Sequence, residues 1–149
     1  MEEKFMKLAL KQAQKAEKIG EIPVGCVIVQ DGRVISRGYN MRETKKNALL
    51  HAEIIAINKA AKRLGGWRLP NCDIYVTLEP CPMCTGAIIN ARIDNVYFGA
   101  YDKKTGCLGS LWDLTEKFPH KLKIMGGILK DECEDILKNF FKTLRKRDK

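Results

Sequence analysis

Two apolar runs around Asp31 and Gly32 most strongly constrain the fold of this chain. The segment from Val24 to Tyr39 reads VGCVIVQDGRVISRGY. An Asp-Gly pair between two such runs is one of the strongest short-range signals for a β-hairpin. The chain therefore contains an antiparallel pair of strands, and the remaining elements must pack around a sheet that includes this pair.

Helical and strand-like patterns alternate along the rest of the chain. The predicted elements in chain order are a helix closing at Gly20, the hairpin, a helix from His51 to Gly65-Gly66, the strand CDIYVTL, the short helix CPMCTGAIINA, the strand NVYFGA, the strand KLKIMGG and the helix LKDECEDILKNFFKTLRKR. This order predicts an α/β fold, a three-layer α-β-α sandwich with a central mixed five-stranded sheet. Two loops are also predicted, one polar and basic over residues 40–49 and one long and Gly-containing over 101–119.

Apolar periodicity suggests which side of each helix faces the sheet. In the first helix, Phe5, Ala9, Ala13 and Ala16 follow a helical period. Two further sets are apolar: Ile54, Ile57, Ala61 and Leu64 share one face of the second long helix, and Ile136, Leu137, Phe140, Phe141 and Leu144 lie in the terminal helix.

Length and composition point to a single domain over residues 1–149 that carries a basic C-terminal helix end. No apolar run approaches the roughly 18 residues of a membrane span, so no membrane partner is expected. The charged N-terminus lacks the apolar region of a secretory signal, and a cytoplasmic location is therefore expected. Four dispersed cysteines are expected to be free, small apolar residues: Cys26, Cys72, Cys107 and Cys133.

The formal net charge of +9, from 27 Lys and Arg against 18 Asp and Glu, has two interpretations. It fits an ordinary solvated lysine surface, and it also fits a polyanionic partner such as nucleic acid.

The two strand-to-helix passages with unusual residues begin at His51, in HAE, and at Cys81, in PCPMC. A CxxC pair alone fits a redox couple, a closed structural zinc site or a catalytic zinc site. The redox reading gives HAE no role, and a closed site needs a fourth Cys or His ligand that is not clustered nearby. A catalytic site with three protein ligands and a water needs only His51 in addition to Cys81 and Cys84.

Glu53 is the candidate proton carrier of such a site, because a zinc-activated water needs a nearby acid–base group that is not a ligand. Positions i and i+2 do not share a helix face, so His51 and Glu53 converge only if His51 has non-helical dihedral angles at the helix start. The non-functional alternatives are that His51 is an ordinary core or surface histidine, the interpretation we give His120, and that Glu53 is a first-turn glutamate favoured by the helix dipole.

HAEIIAI together with YVTLEPCPMC resembles the zinc-dependent cytidine/deoxycytidylate deaminases, whose signature is H-x-E followed by P-C-x-x-C. The chain is most similar to bacterial tRNA-specific adenosine deaminases, and the resemblance extends from EIPVGCVIV through VYFGAYDKKTG to FFKTLR. It implies the cytidine deaminase-like fold, a homodimer, and conversion of the wobble adenosine of a tRNA anticodon stem-loop to inosine.

The resemblance also implies roles for individual residues. One Zn²⁺ per subunit would be held by His51, Cys81 and Cys84, while Glu53 would transfer protons as water attacks C6 of adenine. The implied RNA contacts are Asn40 to the flipped nucleoside, Asp102 to a neighbouring ribose hydroxyl, and Lys104, Phe141 and Arg145 near the RNA. Leu49, Leu50 and Tyr101 depart from the pattern of many relatives and affect the expected contacts to flanking nucleotides.

Two other functions remain open at this point. One is a zinc-dependent deaminase of a free base, nucleoside or nucleotide such as guanine, cytosine, cytidine or dCMP, which would need no basic surface. The other is a non-catalytic, zinc-stabilised RNA-binding module, which would have no use for a buried Glu53 beside the metal.

Overall fold

A computed structural model describes residues 2–147. The helices are α1 (Glu2–Lys18), α2 (Ala52–Leu64), α3 (Pro82–Asn90) and α4 (Lys130–Arg147), and the strands are β1 (Gly25–Gln30), β2 (Arg33–Tyr39), β3 (Cys72–Leu78), β4 (Asn95–Ala100) and β5 (Lys123–Met125). The predicted order of elements is confirmed. Within residues 2–147, no helix is both long and apolar enough to cross a membrane.

The strands form one mixed sheet in the order β2-β1-β3-β4-β5. Strand β1 is antiparallel to both β2 and β3, and β4 is parallel to β3 and β5. The turn between β1 and β2 has positive φ at Asp31 (49°) and Gly32 (80°), as a two-residue hairpin turn requires. The hairpin prediction is therefore confirmed.

Alternate residues of the strands divide the core into two layers. Ile28, Ile74 and Val76 face the side that carries the buried residues of α2 and α3, and Val27, Val29 and Tyr75 face α1 and the start of α4. Helices on both faces of one mixed sheet confirm the predicted three-layer sandwich.

The face of α2 that packs on the sheet differs from the apolar face read from the sequence. The residues buried there are Ala52, Ala56 and Ala60, whereas Leu64 is exposed and Ile57 and Ala61 lie at the margin of the core. The reason is the close approach of β2, because a Cβ on Gly38 would lie 2.9 Å from the backbone nitrogen of Ala56. At this distance the helix can present only small side chains to the strand.

The terminal helix uses little of its apolar surface for packing. Cys133 is the buried residue of α4, and Leu137 packs against the same layer of the core. Phe141 and Leu144, near the C-terminal end, are exposed. Helix α4 is therefore attached to the sheet mainly through its first half.

Candidate active site

The predicted metal ligands lie at the starts of two helices. His51 is the N-cap of α2, with extended dihedral angles (φ −70°, ψ 157°), and Cys81 is the N-cap of α3 (φ −75°, ψ 176°), followed by Pro82 in the first turn. Because His51 is outside the helical geometry, it and Glu53 can reach the same site. This was the condition that the sequence pattern imposed.

The side chains of His51, Cys81 and Cys84 converge on one point. Nδ1 of His51 is 3.6 Å from Sγ of Cys81 and 3.6 Å from Sγ of Cys84, and the three donor atoms all lie within 4.8 Å of one another. One imidazole nitrogen and two thiolates form a donor set that zinc prefers, and three protein ligands are the number found in catalytic zinc sites. The residues present fit the metal that the resemblance implies.

The two thiols of this cluster ionise differently. Hydrogen bonding to Cys84, and then to His51, lowers the pKa of Cys81 to about 4. The same contact with the Cys81 thiolate raises the pKa of Cys84, and hydrogen bonding to Cys81 raises that of His51. Cys81 is therefore the group of this cluster that carries the negative charge. A cation bound here would displace the protons of its neighbours, Cys84 and His51.

Glu53 lies in the first turn of α2 and is only 3% exposed. Burial raises the pKa of its carboxyl group to about 7. Its side chain borders a cavity of about 190 Å³ that also reaches His51 and Cys81. A buried carboxylate that is not a member of the metal-binding cluster is therefore placed beside it.

The cavity is closed on two sides by loops. Residues 40–50, the first wall loop, follow β2, and residues 101–110, the second wall loop, follow β4. The residues that line the cavity are Ile22, Val24, Asn40, Arg42, His51, Ala52, Glu53, Leu78, Glu79, Cys81, Asp102 and Thr105. The cavity lies where β1, β3 and the starts of α2 and α3 meet, which agrees with the position of ligand sites in α/β folds.

Asn40 is 7% exposed and belongs to the cavity lining. Its Nδ2 donates to the carbonyl of Ile22 at 3.2 Å, and its Oδ1 accepts from the backbone N–H of Arg42 at 3.2 Å. Since an amide group has two donor hydrogens and two acceptor lone pairs, one of each stays available to a ligand.

Asp102 also borders the cavity, and its carboxylate organises the turn that follows it. Oδ1 accepts from the backbone N–H groups of Lys104 (3.0 Å) and Thr105 (3.2 Å), and Oδ2 accepts from the Thr105 hydroxyl at 2.9 Å. The side chain of Lys104 is exposed on the same turn. The turn therefore presents Asp102 and Thr105 to the cavity and Lys104 to solvent.

Phe141 and Arg145 lie on the exposed second half of α4 and do not line the cavity. The end of α4 lies beside the end of α1, where Arg147 and Leu144 share a groove with Glu17 and Gly20. The structure thus brings His51, Glu53, Cys81, Asn40 and Asp102 together around the cavity, with Cys84 in the cluster behind it, and leaves Phe141 and Arg145 outside the cavity lining.

Two buried carboxylates that support the wall loops were missed by the sequence analysis. Glu21 accepts from the backbone N–H groups of Glu43 (3.1 Å) and Thr44 (2.6 Å) in the first wall loop. Glu79 accepts from backbone N–H groups of the second wall loop. The one available signal was an acidic residue at the end of an apolar strand, immediately before Pro80 and Cys81.

The family model described as the cytidine and deoxycytidylate deaminase zinc-binding region matches residues 1–100 of this chain. The tRNA-specific adenosine deaminase of Bacillus subtilis (strain 168) is 47% identical over 150 residues, which cover 99% of this chain and 93% of that protein.

Solved structures give a similar result. A structure from work on A-to-I editing by tRNA:A34 deaminases at the wobble position of transfer RNA has a TM-score of 0.85 and 42% identity, covering 89% of this chain and 98% of that chain. An X-ray structure of guanine deaminase from Bacillus subtilis has a TM-score of 0.64 and 44% identity, covering 66% of this chain and 64% of that chain. With the His-Cys-Cys cluster and buried Glu53 described above, these similarities establish that the chain belongs to the tRNA-specific adenosine deaminase family of the cytidine and deoxycytidylate deaminases.

Proposed function

We propose that this protein is a zinc-dependent enzyme that converts adenosine to inosine at the wobble position of a tRNA by hydrolytic deamination. The observation that carries the proposal is the convergence of His51, Cys81 and Cys84 beside the buried carboxylate of Glu53 at the base of a cavity. The tRNA substrate is supported by 47% identity over nearly the whole chain to a relative named for that activity.

In this proposal His51, Cys81 and Cys84 hold one zinc ion per chain. When bound there, zinc activates a water for attack at neutral pH. Glu53, which borders the cavity without belonging to the metal-binding cluster, carries the protons. Its carboxylate accepts the first proton of the attacking water and delivers it to a ring nitrogen of the adenine as the C–O bond forms. It then accepts the second proton, from the new hydroxyl on C6, and delivers it to the amine, which leaves as ammonia as the C–N bond breaks and the C6 carbonyl forms.

Asn40 and Asp102 are proposed to position the substrate. Asn40 lines the cavity, and the unused donor and acceptor of its amide can bind the nucleoside that has left the base stack. Asp102 keeps acceptor capacity beyond its three contacts within the turn and can accept from a ribose 2′-hydroxyl of the adjoining nucleotide.

The RNA backbone is proposed to bind basic residues of both wall loops and of α4. Exposed cations flank the cavity on each side: Arg42, Lys45 and Lys46 in the first wall loop, and Lys103 and Lys104 in the second. Arg145 and Arg147 end α4, and Phe141 lies on the same exposed stretch of this helix. A surface of this kind would neutralise the phosphates of an anticodon stem-loop around the cavity.

We further propose that the protein is a homodimer, in which a second copy covers apolar side chains just beyond the second wall loop. Trp112 is 65% exposed, and Leu111 and Phe118 are exposed nearby. Large apolar side chains exposed in one short segment of the chain favour a protein contact. Light scattering should give twice the mass of the chain for the wild type and a smaller mass for Trp112→Glu, whereas a monomeric wild type would contradict the proposal.

The proposed place of action is the cytoplasm. All six cysteines are free, which agrees with a reducing compartment.

A substrate panel tests the proposed function. Purified protein should form inosine at a single adenosine in a set of unmodified tRNAs, detected by mass spectrometry of the digested RNA, and should act poorly on free adenosine, cytidine and guanine. Comparable turnover of a free base or nucleoside would favour the small-molecule deaminase. No turnover of any substrate despite RNA binding would favour the non-catalytic module.

A further inference from the structure

Two glutamates border the cavity, and their surroundings differ. Glu53 lies beside the metal-binding cluster, and within residues 2–147 no backbone amide of either wall loop is found to donate to it. Glu79 is 2% exposed and lies between β3 and Cys81. Since both are buried acids beside one site, each could in principle serve as the proton carrier.

The carboxylate of Glu79 is occupied by the second wall loop. Oε1 accepts from the backbone N–H of Asp102 at 3.1 Å and from the Ser110 hydroxyl. Oε2 accepts from the backbone N–H groups of Leu108 and Ser110, each at 3.1 Å. An ionised carboxylate offers about four acceptor sites, so four donors leave Glu79 no capacity for substrate or for proton transfer.

The backbone on both sides of Glu79 also holds this loop. The N–H of Glu79 donates to the carbonyl of Ala100 at 2.9 Å, and the N–H of Cys107 donates to the carbonyl of Pro80 at 2.9 Å. A Cβ on Gly106 would lie 2.7 Å from Oε1 of Glu79, so this position accommodates only glycine without displacement. The loop is wrapped closely around one carboxylate.

The four contacts lie at both ends of the second wall loop. Asp102 begins the turn that presents its own side chain and Thr105 to the cavity, while Leu108 and Ser110 end the loop. Without the carboxylate of Glu79, three backbone N–H groups would lose their acceptor. Such a loss is costly for buried groups, and the loop would move away from the cavity.

We propose that Glu79 is a positioning residue, which acts through Asp102 and Thr105 to set the affinity for the RNA substrate and takes no part in proton transfer or metal binding. The proposal rests on the proposed function and assigns a role to a residue of the same site. It predicts a change in KM rather than in kcat when the charge of Glu79 is removed.

The test compares Glu79→Gln with wild type. The glutamine keeps the shape of the side chain, but its NH₂ group faces a backbone donor. We expect KM for the anticodon stem-loop to rise about tenfold, as for the loss of one charge-assisted hydrogen bond, with kcat and zinc content within about twofold. In an Asp102→Ala/Thr105→Ala background, the same substitution should change KM less than about twofold, because the groups through which Glu79 acts are absent.

Amide hydrogen exchange provides a readout that needs no substrate. Glu79→Gln should speed exchange at Asp102, Leu108 and Ser110, whose N–H groups donate to Glu79. Glu21→Gln, the matched control, should speed exchange at Glu43 and Thr44 and leave the second wall loop unchanged. Ser110→Ala removes one contact of the four and should raise KM by a smaller factor in a folded protein, which keeps the test decisive if Glu79→Gln does not fold.

Three results would overturn the role of Glu79: unchanged exchange in the second wall loop, a fall in kcat or zinc content at constant KM, or an additive effect in the Asp102→Ala/Thr105→Ala background. A wild-type protein that is inactive on the stem-loop would instead contradict the proposed function. Amide hydrogen exchange, which is measured without RNA, would then be the only test of the positioning role.

Discussion

The metal-binding cluster and the wall loops are built by different means. His51 and Cys81 are fixed by helix starts that pack on the sheet, and Cys84 lies in the first turn of α3. The wall loops have irregular structure and depend on the buried carboxylates of Glu21 and Glu79. In the proposed function, the helix starts hold the metal and the proton carrier, and the wall loops bind the substrate.

The largest effect is expected from removing a metal ligand. Cys84→Ala should abolish zinc binding and activity and lower the midpoint of thermal unfolding, since metal binding and folding are coupled. Metal analysis of the purified variant checks this prediction. Cys72→Ala, which changes another buried free cysteine, should retain zinc, and full zinc content in Cys84→Ala would contradict the ligand assignment.

The next effect concerns the proton carrier. Glu53→Gln should retain zinc and lose activity by about 10²–10⁴-fold, the range for a general acid–base group. Single-turnover rates on the stem-loop, with metal content measured on the same sample, test this. Near-wild-type rates would reject the role, and loss of zinc would make Glu53 part of the metal site.

A smaller effect is expected from the charges of the second wall loop. Lys103→Glu/Lys104→Glu should weaken stem-loop binding roughly tenfold and reduce the slope of log affinity against log salt by about one unit per lost phosphate contact. The matched control is Lys59→Glu/Lys62→Glu, which reverses two exposed lysines of α2 beyond its first turns. Equal losses in both variants would show that net charge alone, and not the wall loop, binds RNA.

The smallest effect on activity is expected at Glu21, which supports the first wall loop and does not line the cavity. Burial raises the pKa of Glu21, but hydrogen bonds from Thr44 and Glu43 and the charge of Arg42 outweigh it, so that this pKa lies below its usual value of 4.5. The stabilisation is therefore complete above pH 4.5 and is lost as the pH falls through the lower folded-state pKa.

Glu21→Gln should lower the free energy of unfolding at pH 7 by about 2 kcal/mol, the contribution of a hydrogen bond to a charged group. The difference from wild type should shrink in more acidic solution, as chemical denaturation at several pH values would reveal. Glu17→Gln, at an exposed position of α1, should have no such effect. A pH-independent difference would mean that the charge of Glu21 is not what supports the loop.

The sequence predicted the elements and the metal-binding cluster because their signals are local. Asp31-Gly32 specifies a hairpin turn, and Pro82 marks the first turn of α3. His51 and Cys81 each precede a helical period, so that their place at helix starts followed from the pattern. Their convergence requires only that two strand-to-helix passages meet at one end of the sheet.

The remaining features depend on contacts between distant parts of the chain. The buried face of α2 is set by Gly38, which brings β2 close to Ala52 and Ala56. Glu79 accepts from residues up to 31 positions away, and no local pattern indicates this. The roles of Lys104, Phe141 and Arg145 came from the resemblance and stay predictions. Their side chains are exposed, and the contacts expected of them are with RNA rather than with other parts of the chain.

The measurement that tests the central claim most directly is kcat/KM for an anticodon stem-loop and for free adenosine, each at several salt concentrations. The account predicts a far higher value for the stem-loop, which falls steeply as salt rises because binding neutralises phosphates, and a low, salt-insensitive value for adenosine. Comparable values for the two substrates, both insensitive to salt, would contradict the division between a chemical centre and RNA-binding wall loops.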